Sequence, residues 1–171
     1  MKHVDYMAVA ENAIRHIRNG AFLTVQAGDE NNIMTIGWAS IGFMWGRPIL
    51  TVMVRKSRHT FGIIEKSKEF TVSVPLTDMK KALEFCGTVS GRTVDKRIEC
   101  GLEFMPGEKV KTPLISTPGL HFECAIVYKN AIEPQLLSET YTHLYPEQDF
   151  HTLYFGEIRN CYSTADEIGQ E

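Results

Sequence analysis

The chain has 171 residues, of which 43% are hydrophobic and 23% charged, a balance that suits one folded domain with a substantial core. Its net charge of -3 argues against a general nucleic-acid binder. No apolar run approaches the roughly 18 residues of a membrane-spanning helix, and the N-terminus lacks the apolar core of a signal peptide. The four cysteines form no C-x-x-C pair, so we expect a cytoplasmic protein with reduced thiols and with neither a membrane nor a nucleic-acid partner.

The first half of the chain predicts one helix followed mostly by strands. The helix is expected over residues 5–18 and ends before Gly20. Its apolar face is predicted to carry Met7, Ala10, Ile14 and Ile17. Strands are then expected over residues 21–25, 33–41, 49–54 and 69–74, with a turn at 28–32 and a short helix at 60–67. The first two of these strands are predicted to form a hairpin.

The second half predicts one more helix, an irregular stretch and two long strands. The helix is expected over residues 77–86, with Thr77 or Asp78 as its N-cap. The irregular stretch and the elements that follow it are a short helix at 94–99, a short strand at 102–105, strands at 122–128 and 151–162, and a polar, frayed tail from Ala165. Helices that do not alternate regularly with strands favour a mainly β fold, an antiparallel Greek-key-type barrel with peripheral helices, over a doubly wound parallel sheet.

The turn at residues 55–60 holds three permanent cations and two hydroxyl groups in six residues. It follows a predicted strand and enters a predicted helix, whose first N–H groups lack intrahelical partners. Cations supply charge and hydroxyls supply directed hydrogen bonds, so this turn is a candidate phosphate site. The alternative is a solvated loop in which Ser57 or Thr60 only caps the helix.

Two other segments are candidates for ligand contact. Gly37 weakens its strand unless something approaches the backbone closely, and Trp38 offers a flat apolar face. The alternative is a barrel-wall tryptophan beside a bulge. In residues 86–96, two glycines bracket small hydroxyl residues, and such a loop can present bare N–H groups to a planar or anionic ligand. The alternative there is a helix end at Gly87 and a surface loop, with Cys86 in the core.

Several common sites have no support in the sequence. There is neither a G-x-G-x-x-G after a strand nor a P-loop, so any nucleotide must be held in another way. The six histidines lack metal-ligand spacing, and we predict no metal site. No G-x-S-x-G element indicates a hydrolase, although a catalytic triad assembles in space and spacing alone does not test it.

Four blocks of sequence, taken in order, resemble the flavin reductase-like family with the FMN-binding split-barrel fold, especially its flavoredoxin-like members. The blocks are residues 32–38, 55–60, 86–96 and 151–158, with residues 69–75 at their expected place. They span about residues 20–160. The resemblance implies that residues 1–171 form a single FMN-binding domain and that the protein is a homodimer with FMN near the subunit interface.

The resemblance also implies a role for each block. Residues 35–40 would follow the flavin ring and ribityl chain, the turn at 55–60 would hold the phosphate, and the loop at 90–96 would close over the ring edge. The implied cofactor-binding residues are Thr35, Ile36, Gly37, Trp38, Ser40, Arg55, Lys56, Ser57, Arg58, Thr60, Ser90, Gly91 and Lys96. His151 would lie near the flavin or where a nicotinamide approaches, as the candidate catalytic residue.

One departure from the family pattern concerns the electron donor. Many members that use NAD(P)H carry Gly-Asp immediately before the histidine, whereas this chain has Asp149-Phe150. Three hypotheses follow. The first is an FMN-dependent oxidoreductase that passes electrons from NAD(P)H or a redox partner protein to a small-molecule or protein acceptor. The second is an FMN-bound electron carrier or redox sensor with little NAD(P)H turnover, and the third is a split barrel without flavin.

Overall fold

The computed structural model describes residues 2–165, so residues 166–171 of the predicted frayed tail lie outside the described part. The elements, in chain order, are β1 (Lys2–His3), α1 (Tyr6–Ile17), β2 (Ala21–Ala27), β3 (Glu30–Ile36), β4 (Ala39–Met44), β5 (Arg47–Arg55), α2 (His59–Ile64), β6 (Glu69–Pro75), α3 (Lys80–Thr88), α4 (Lys96–Glu99), β7 (Phe104–Met105), β8 (Leu114–Ile115), β9 (Gly119–Ala131) and β10 (His151–Ser163). Two 3-10 helices, Pro134–Leu136 and Glu139–Leu144, connect β9 to β10.

Within residues 2–165, eight strands form one antiparallel sheet, which confirms the mainly β prediction. The order is β3-β2-β6-β9-β10-β5-β4, and β1 pairs with the far end of β10. The long strand β10 therefore has three partners. It pairs His151 with Arg55 on β5, runs along β9 for most of its length, and pairs Ser163 with Lys2 on β1.

The two edges of this sheet are held together by the chain itself. Strands β3 and β4 stand at opposite ends of the order, yet only two residues, Gly37 and Trp38, separate them in sequence. Three Cα steps of about 3.8 Å limit the distance from Ile36 to Ala39 to about 11 Å. The sheet must therefore roll until its edges meet at this link, which gives a barrel that is split between β3 and β4.

The predicted single strand over 33–41 is wrong at this link, because the chain leaves β3 after Ile36 and starts β4 at Ala39. Among residues 2–165, a Cβ on Gly37 would meet only the Ile17 carbonyl oxygen, at 3.9 Å, so no described atom crowds its backbone. The strand pattern also failed to show the tight turn between β4 and β5. That turn places Trp45 and Gly46 at φ values of 53° and 70°, typical of a two-residue hairpin.

Helix α1 packs against the rolled sheet with most of the predicted face, including Ile14 and Ile17, but not with Met7. Asp5 caps it by accepting a hydrogen bond from the Met7 N–H, and Gly20 ends the segment at φ 119°. The buried residues are Val9, Ala13 and Ile17, whereas Met7 is 70% exposed. The stripe of fully buried residues ends at Ile17, but it begins two residues after Met7 and leaves the Met7 side chain outside.

The remaining differences concern the ends of elements. Helix α3 starts at Lys80, with Met79 rather than Thr77 or Asp78 at the N-cap, and it runs through Gly87 to Thr88. The Asp78 carboxylate still accepts a hydrogen bond from the Lys80 N–H. Strand β9 is longer than the predicted 122–128 because it continues on both sides of the alternating segment. No helix among residues 2–165 is long and apolar enough to cross a membrane.

Two clusters of apolar side chains form the core. The larger fills the inside of the rolled sheet with residues such as Leu23, Val72 and Phe122, and α1 and α2 close it. The smaller lies on the other side of β2 and β3, where Phe22 and Ile33 pack beneath Cys86 of α3. Adjacent residues of β2 thus serve different clusters, as the alternation of strand side chains requires. Helix α3 is thereby fixed over the outer face of β3.

Candidate functional site

A groove runs from the split in the sheet to the turn after β5. One part, the Trp38 cleft, is lined by Met34, Thr35, Ile36, Gly37, Trp38, Met53, Arg55, Arg58 and His151. The other part, the Ser57 cleft, is lined by Asn32, Met34, Ser57, Arg58, His59, Thr60, Cys86, Thr88, Val89, Ser90, Gly91, Arg92 and Lys96. Met34 and Arg58 line both clefts, so the two clefts adjoin.

Most of the predicted site residues come together along this groove. Ser40 lines a neighbouring cleft that shares Gly37, Trp38 and Met53 with the Trp38 cleft. Lys56 is exposed on the turn and lines neither of the two clefts. The structure therefore brings most of the predicted residues together, without Lys56, and several of their polar groups already have partners within the chain.

Ser57 binds an oxyanion supplied by the protein itself. Its N–H donates to Asp149 Oδ1 at 3.2 Å, and its hydroxyl donates to Asp149 Oδ2 at 2.5 Å. Both Ser57 donors thus converge on one carboxylate. The turn after β5 has the hydrogen-bonding capacity that a phosphate site needs, and a side chain from the start of β10 uses it here.

Arg55 holds the segment that precedes β10. Its guanidinium donates to the Asp149 carbonyl at 3.1 Å and to the Leu144 carbonyl at 3.0 Å, and it lies 5.0 Å from the centre of the Tyr145 ring. Such fixed donors and a cation–π contact anchor the chain between the second 3-10 helix and β10. Arg55 therefore contributes positive charge to the Trp38 cleft, while its donors hold the backbone of this segment.

The floor of the Ser57 cleft is built by buried side chains of β3 and α2. The Asn32 side-chain amide donates to the Thr60 hydroxyl at 2.7 Å, and both residues are buried. A Cβ on Gly91 would lie 2.1 Å from Asn32 Oδ1, so only glycine allows this close approach of the loop. Thr60 and Gly91, both predicted to contact the cofactor, fix the loop against the floor.

Lys96 also acts within the protein rather than at its surface. It is 5% exposed, and its ammonium donates to the Cys86 carbonyl at 2.7 Å and to the Ile33 carbonyl at 3.0 Å. Burial lowers the pKa of Lys96. The lysine joins the end of α3 to β3, and Asp95 caps the short helix α4 beside it by accepting from the Arg97 and Ile98 N–H groups. The Asp95–Lys96 pair thus supports the loop from beneath.

Two arginines complete the walls of the Ser57 cleft. Arg58 donates to the Gly87 carbonyl at 2.9 Å, and Arg92 donates to the Ser57 carbonyl at 3.3 Å. Ser90 turns the loop between them, since its hydroxyl accepts from the Arg92 N–H. In the Trp38 cleft, Thr35 donates to the Leu83 carbonyl at 2.5 Å, which joins β3 to α3. The Ser57 cleft is therefore positively charged on its walls.

His151 lies at the aromatic end of the groove. Its ring centre is 5.3 Å from that of Trp38, and its Nδ1 shares a hydrogen bond of 2.9 Å with the Tyr145 hydroxyl. Burial, together with the positive charges of Arg55 and Arg58, lowers the pKa of His151 to about 4, although Asp149 opposes them. The imidazole is therefore neutral at pH 7, a hydrogen-bonding group rather than a cation.

A second neutral histidine lies in the core, and together the two predict acid sensitivity. Burial lowers the pKa of His121 to about 4 as well. In the unfolded chain each histidine binds a proton near pH 6.5, whereas in the folded state it stays neutral until about pH 4. The free energy of unfolding is therefore highest above pH 6.5 and falls as the pH approaches 4. We expect a loss of about 2 kcal/mol per histidine by pH 5.

Urea unfolding between pH 7 and pH 5 measures this loss. His121→Gln should remove about half of the pH dependence over that range, and His143→Gln, which changes an exposed ring, should leave it unchanged. A free energy of unfolding that stays level from pH 7 to pH 5 in the unmodified protein would show that the histidines do not resist protonation.

Sequence reasoning missed four contributors to the groove: Met34, Met53, Tyr145 and Asp149. The methionines carried no signal beyond a strand pattern. Tyr145 lies in a segment without strand or helix periodicity, and Arg55 holds that segment in place by donating to the Leu144 and Asp149 carbonyls. Asp149 was visible as a departure from the family pattern, but its contact with Ser57 spans 92 positions.

The fold is the split barrel found among flavin reductase-like proteins. The family described as "Flavin reductase like domain" matches residues 15–170, and the chain belongs to this family. Its function therefore lies in flavin-dependent redox chemistry, and the family resemblance drawn from the four sequence blocks is confirmed.

Solved structures and curated relatives agree with this assignment. The chain is similar to flavoredoxin from Methanosarcina acetivorans, with a TM-score of 0.68 and 30% identity, covering 88% of this chain and 71% of that one. It is similar to flavoredoxin of Desulfovibrio vulgaris (Miyazaki F), with a TM-score of 0.66 and 26% identity, covering 84% and 68%. An uncharacterized protein of Archaeoglobus fulgidus is 28% identical over 137 residues, 80% of this chain and 68% of its own length. The chain spans about two thirds of the length of the curated relatives it matches.

Proposed function

We propose that this protein is an FMN-binding oxidoreductase of the flavin reductase or flavoredoxin type. In this proposal, electrons pass from NAD(P)H or a protein donor through FMN to an acceptor. The observation that supports it is that the two clefts adjoin at Met34 and Arg58. An aromatic and thioether wall at Trp38 and Met34 leads directly to an oxyanion-binding turn at Ser57. A ligand with a planar ring at one end and a phosphate group at the other would match this wall and this turn.

The residues present fit FMN at its charged end. Ser57 already donates two hydrogen bonds to the oxygens of a carboxylate, and a phosphate monoester offers oxygen acceptors of the same kind. Arg58 and Arg92 line the same cleft and would balance the phosphate charge. Bound FMN would supply the electron-transfer chemistry, for which the chain needs no nucleophile of its own.

The chain's residues would bind and orient the ring at the other end. Trp38 is 44% exposed and presents a flat surface beside His151. His151 is neutral and is held in place by Tyr145, so it can exchange hydrogen bonds with a ligand without adding charge. Met34 and Met53 line the cleft with flexible apolar side chains that adapt to a planar ligand.

The electron donor separates this proposal from the alternative of an electron carrier or redox sensor. Asp149-Phe150 before His151 favours the alternative, because NAD(P)H-using members often have Gly-Asp there. Mixing the FMN-loaded protein with NADH or NADPH without oxygen decides between them. Bleaching of the flavin absorbance near 450 nm within seconds supports the reductase. Full retention of the flavin colour with both nucleotides supports the electron carrier or redox sensor instead.

We also propose a homodimer, built on an exposed aromatic surface. The surface consists of Phe43, Met44, Trp45, Val127 and Tyr128, at the tip of the β4–β5 hairpin and the end of β9. Trp45 is 64% exposed and lies 6.1 Å from the Tyr128 ring and 6.0 Å from the Phe155 ring. Clustered exposed aromatics of this kind are typical of protein interfaces. A second copy of the chain would cover them.

Replacing Phe43 and Trp45 with serine is expected to convert the dimer to a monomer. Light scattering should give the unmodified protein twice the 19.4 kDa mass of one chain, and the double variant a single mass. Removal of two large aromatics from the centre of an interface typically costs several kcal/mol, about 100-fold or more in the dimerisation constant. Leu136→Ser, which changes an exposed apolar residue elsewhere, is the control. A monomeric unmodified protein at tens of micromolar contradicts the proposal.

We further propose that the protein works in the cytoplasm. All four cysteines are free, and Cys86, Cys124 and Cys161 are buried. Burial raises the pKa of Cys86 to about 12 and that of Cys161 to about 12, so both stay as inert thiols. Buried free thiols suit a reducing compartment. Cell fractionation tests the location, and recovery in an exported fraction would contradict it.

A further inference from the structure

We propose that Asp149 competes with the flavin phosphate for Ser57, so that this one carboxylate determines how strongly the site prefers a phosphorylated flavin over an unphosphorylated one. The inference rests on the proposed function, because it concerns the same groove. Asp149 was not among the residues expected to contact the cofactor. Its position follows only from the structure.

The competition arises because the two anions need the same hydrogen atoms. The Ser57 N–H and hydroxyl both point to Asp149, at 3.2 Å and 2.5 Å from its two carboxylate oxygens. Each donor hydrogen makes one strong hydrogen bond at a time. A phosphate that takes both donors must therefore displace the carboxylate. If the carboxylate stayed within contact distance, the two negative charges would repel each other.

Displacement requires only a change of side-chain rotamer. Arg55 holds the backbone carbonyl groups of Leu144 and Asp149, so the main chain on both sides of the turn stays in place. The Asp149 side chain is not fully buried, and the surrounding cations remain to balance an incoming anion. Nothing in this arrangement requires the segment between the 3-10 helices and β10 to open.

The charges around Ser57 explain why the chain carries such a competitor. Arg55, Arg58 and Arg92 all line the groove or contact its turn, and three guanidinium groups without a counterion would repel one another. Asp149 neutralises part of that charge while the groove holds no phosphate. The cation-rich turn favours FMN binding, but part of this favourable binding free energy is lost because the phosphate must displace the Asp149 carboxylate.

The test compares two ligands with and without the carboxylate charge. Asp149→Asn keeps the size of the side chain and removes its charge, and Glu147→Gln removes an exposed charge two residues away as the matched control. Dissociation constants for FMN and for riboflavin would be measured on the full chain by quenching of flavin fluorescence. We expect Asp149→Asn to lower the dissociation constant of FMN about tenfold and to change that of riboflavin less than about twofold. Glu147→Gln should change neither constant.

Every other outcome overturns the competition. Weaker FMN binding by Asp149→Asn would mean that the carboxylate orients Ser57 for the ligand. Equal tightening of FMN and riboflavin would mean that the charge acts on the ring and not on the phosphate, and an unchanged FMN constant would mean that Asp149 does not compete. If neither ligand binds the unmodified protein or the variant, the proposed function fails together with this inference. In the preceding cases, the proposed function stands.

Discussion

Replacing Ser57 and Arg58 together with alanine is expected to weaken FMN binding by about 2–4 kcal/mol, the scale of two charge-assisted hydrogen bonds. Ser57 is the residue whose donors the structure shows on an oxyanion, and Arg58 lines both parts of the groove. The loss should appear as a rise of roughly 30- to 1,000-fold in the FMN dissociation constant. Riboflavin affinity should change far less, because it lacks the phosphate.

The control for this double variant must remove charge from the same region without entering the groove. Lys66→Ala removes an exposed cation just beyond α2 and should leave FMN affinity unchanged. Circular dichroism would show that both variants keep the fold. An FMN dissociation constant for the double variant within threefold of the unmodified protein would remove the phosphate assignment from residues 55–60.

Replacing Glu123 with alanine is expected to lower the free energy of unfolding by about 3–5 kcal/mol. This carboxylate is fully buried, and it accepts hydrogen bonds from the N–H groups of Glu108, Lys109 and Val110, at 3.1, 2.6 and 3.0 Å. It also accepts one from the Asn160 side chain at 3.0 Å. Without it, three N–H groups of one loop lose their acceptor at once, and such losses exceed the average worth of a hydrogen bond.

Two further variants separate this effect from a general loss of charge. Glu123→Gln keeps one oxygen acceptor and should lose about half as much stability, whereas Glu103→Ala changes an exposed carboxylate and should lose less than about 0.5 kcal/mol. Denaturant unfolding of the three variants gives the values directly. Stability of Glu123→Ala within 1 kcal/mol of the unmodified protein would show that the loop finds other acceptors, such as water.

The local pattern of the sequence predicted the strands well and their joins poorly. Short apolar runs bounded by turn signals identified β2, β5 and β6, which are buried along most of their length, and alternation identified β10. The break at Gly37–Trp38 was invisible, since the apolar pattern continues through it from Ile33 to Ile41. Only closure of the rolled sheet requires the chain to change direction there, and that requirement is global.

For the candidate site, too, the sequence predicted some features and not others. The four sequence blocks identified which segments meet, because each block combines turn residues with charge or aromatic groups that a core does not need. They could not assign the individual hydrogen bonds. The Lys96 ammonium donates inward to two carbonyl groups, and the Arg55 guanidinium donates to a segment that is distant in sequence. The fold brings these partners together, and no local pattern in the sequence indicates them.

Asp149 shows the limit of reasoning from sequence most clearly. Its position two residues before His151 was noted as a departure in the segment associated with nicotinamide use. In the structure its carboxylate meets Ser57 instead, because pairing of His151 with Arg55 brings the start of β10 beside the turn that follows β5. A register between two strands thus decides a contact that no local pattern encodes.

The visible absorption spectrum of the purified protein, before and after addition of FMN and removal of free flavin, tests the central proposal most directly. We expect one FMN per chain, with flavin absorption bands in the visible range that stay with the protein through gel filtration, and loss of this retention in the Ser57/Arg58 double variant. A protein that stays colourless after incubation with excess FMN would contradict it, and would leave a split barrel that serves as a structural or interaction domain.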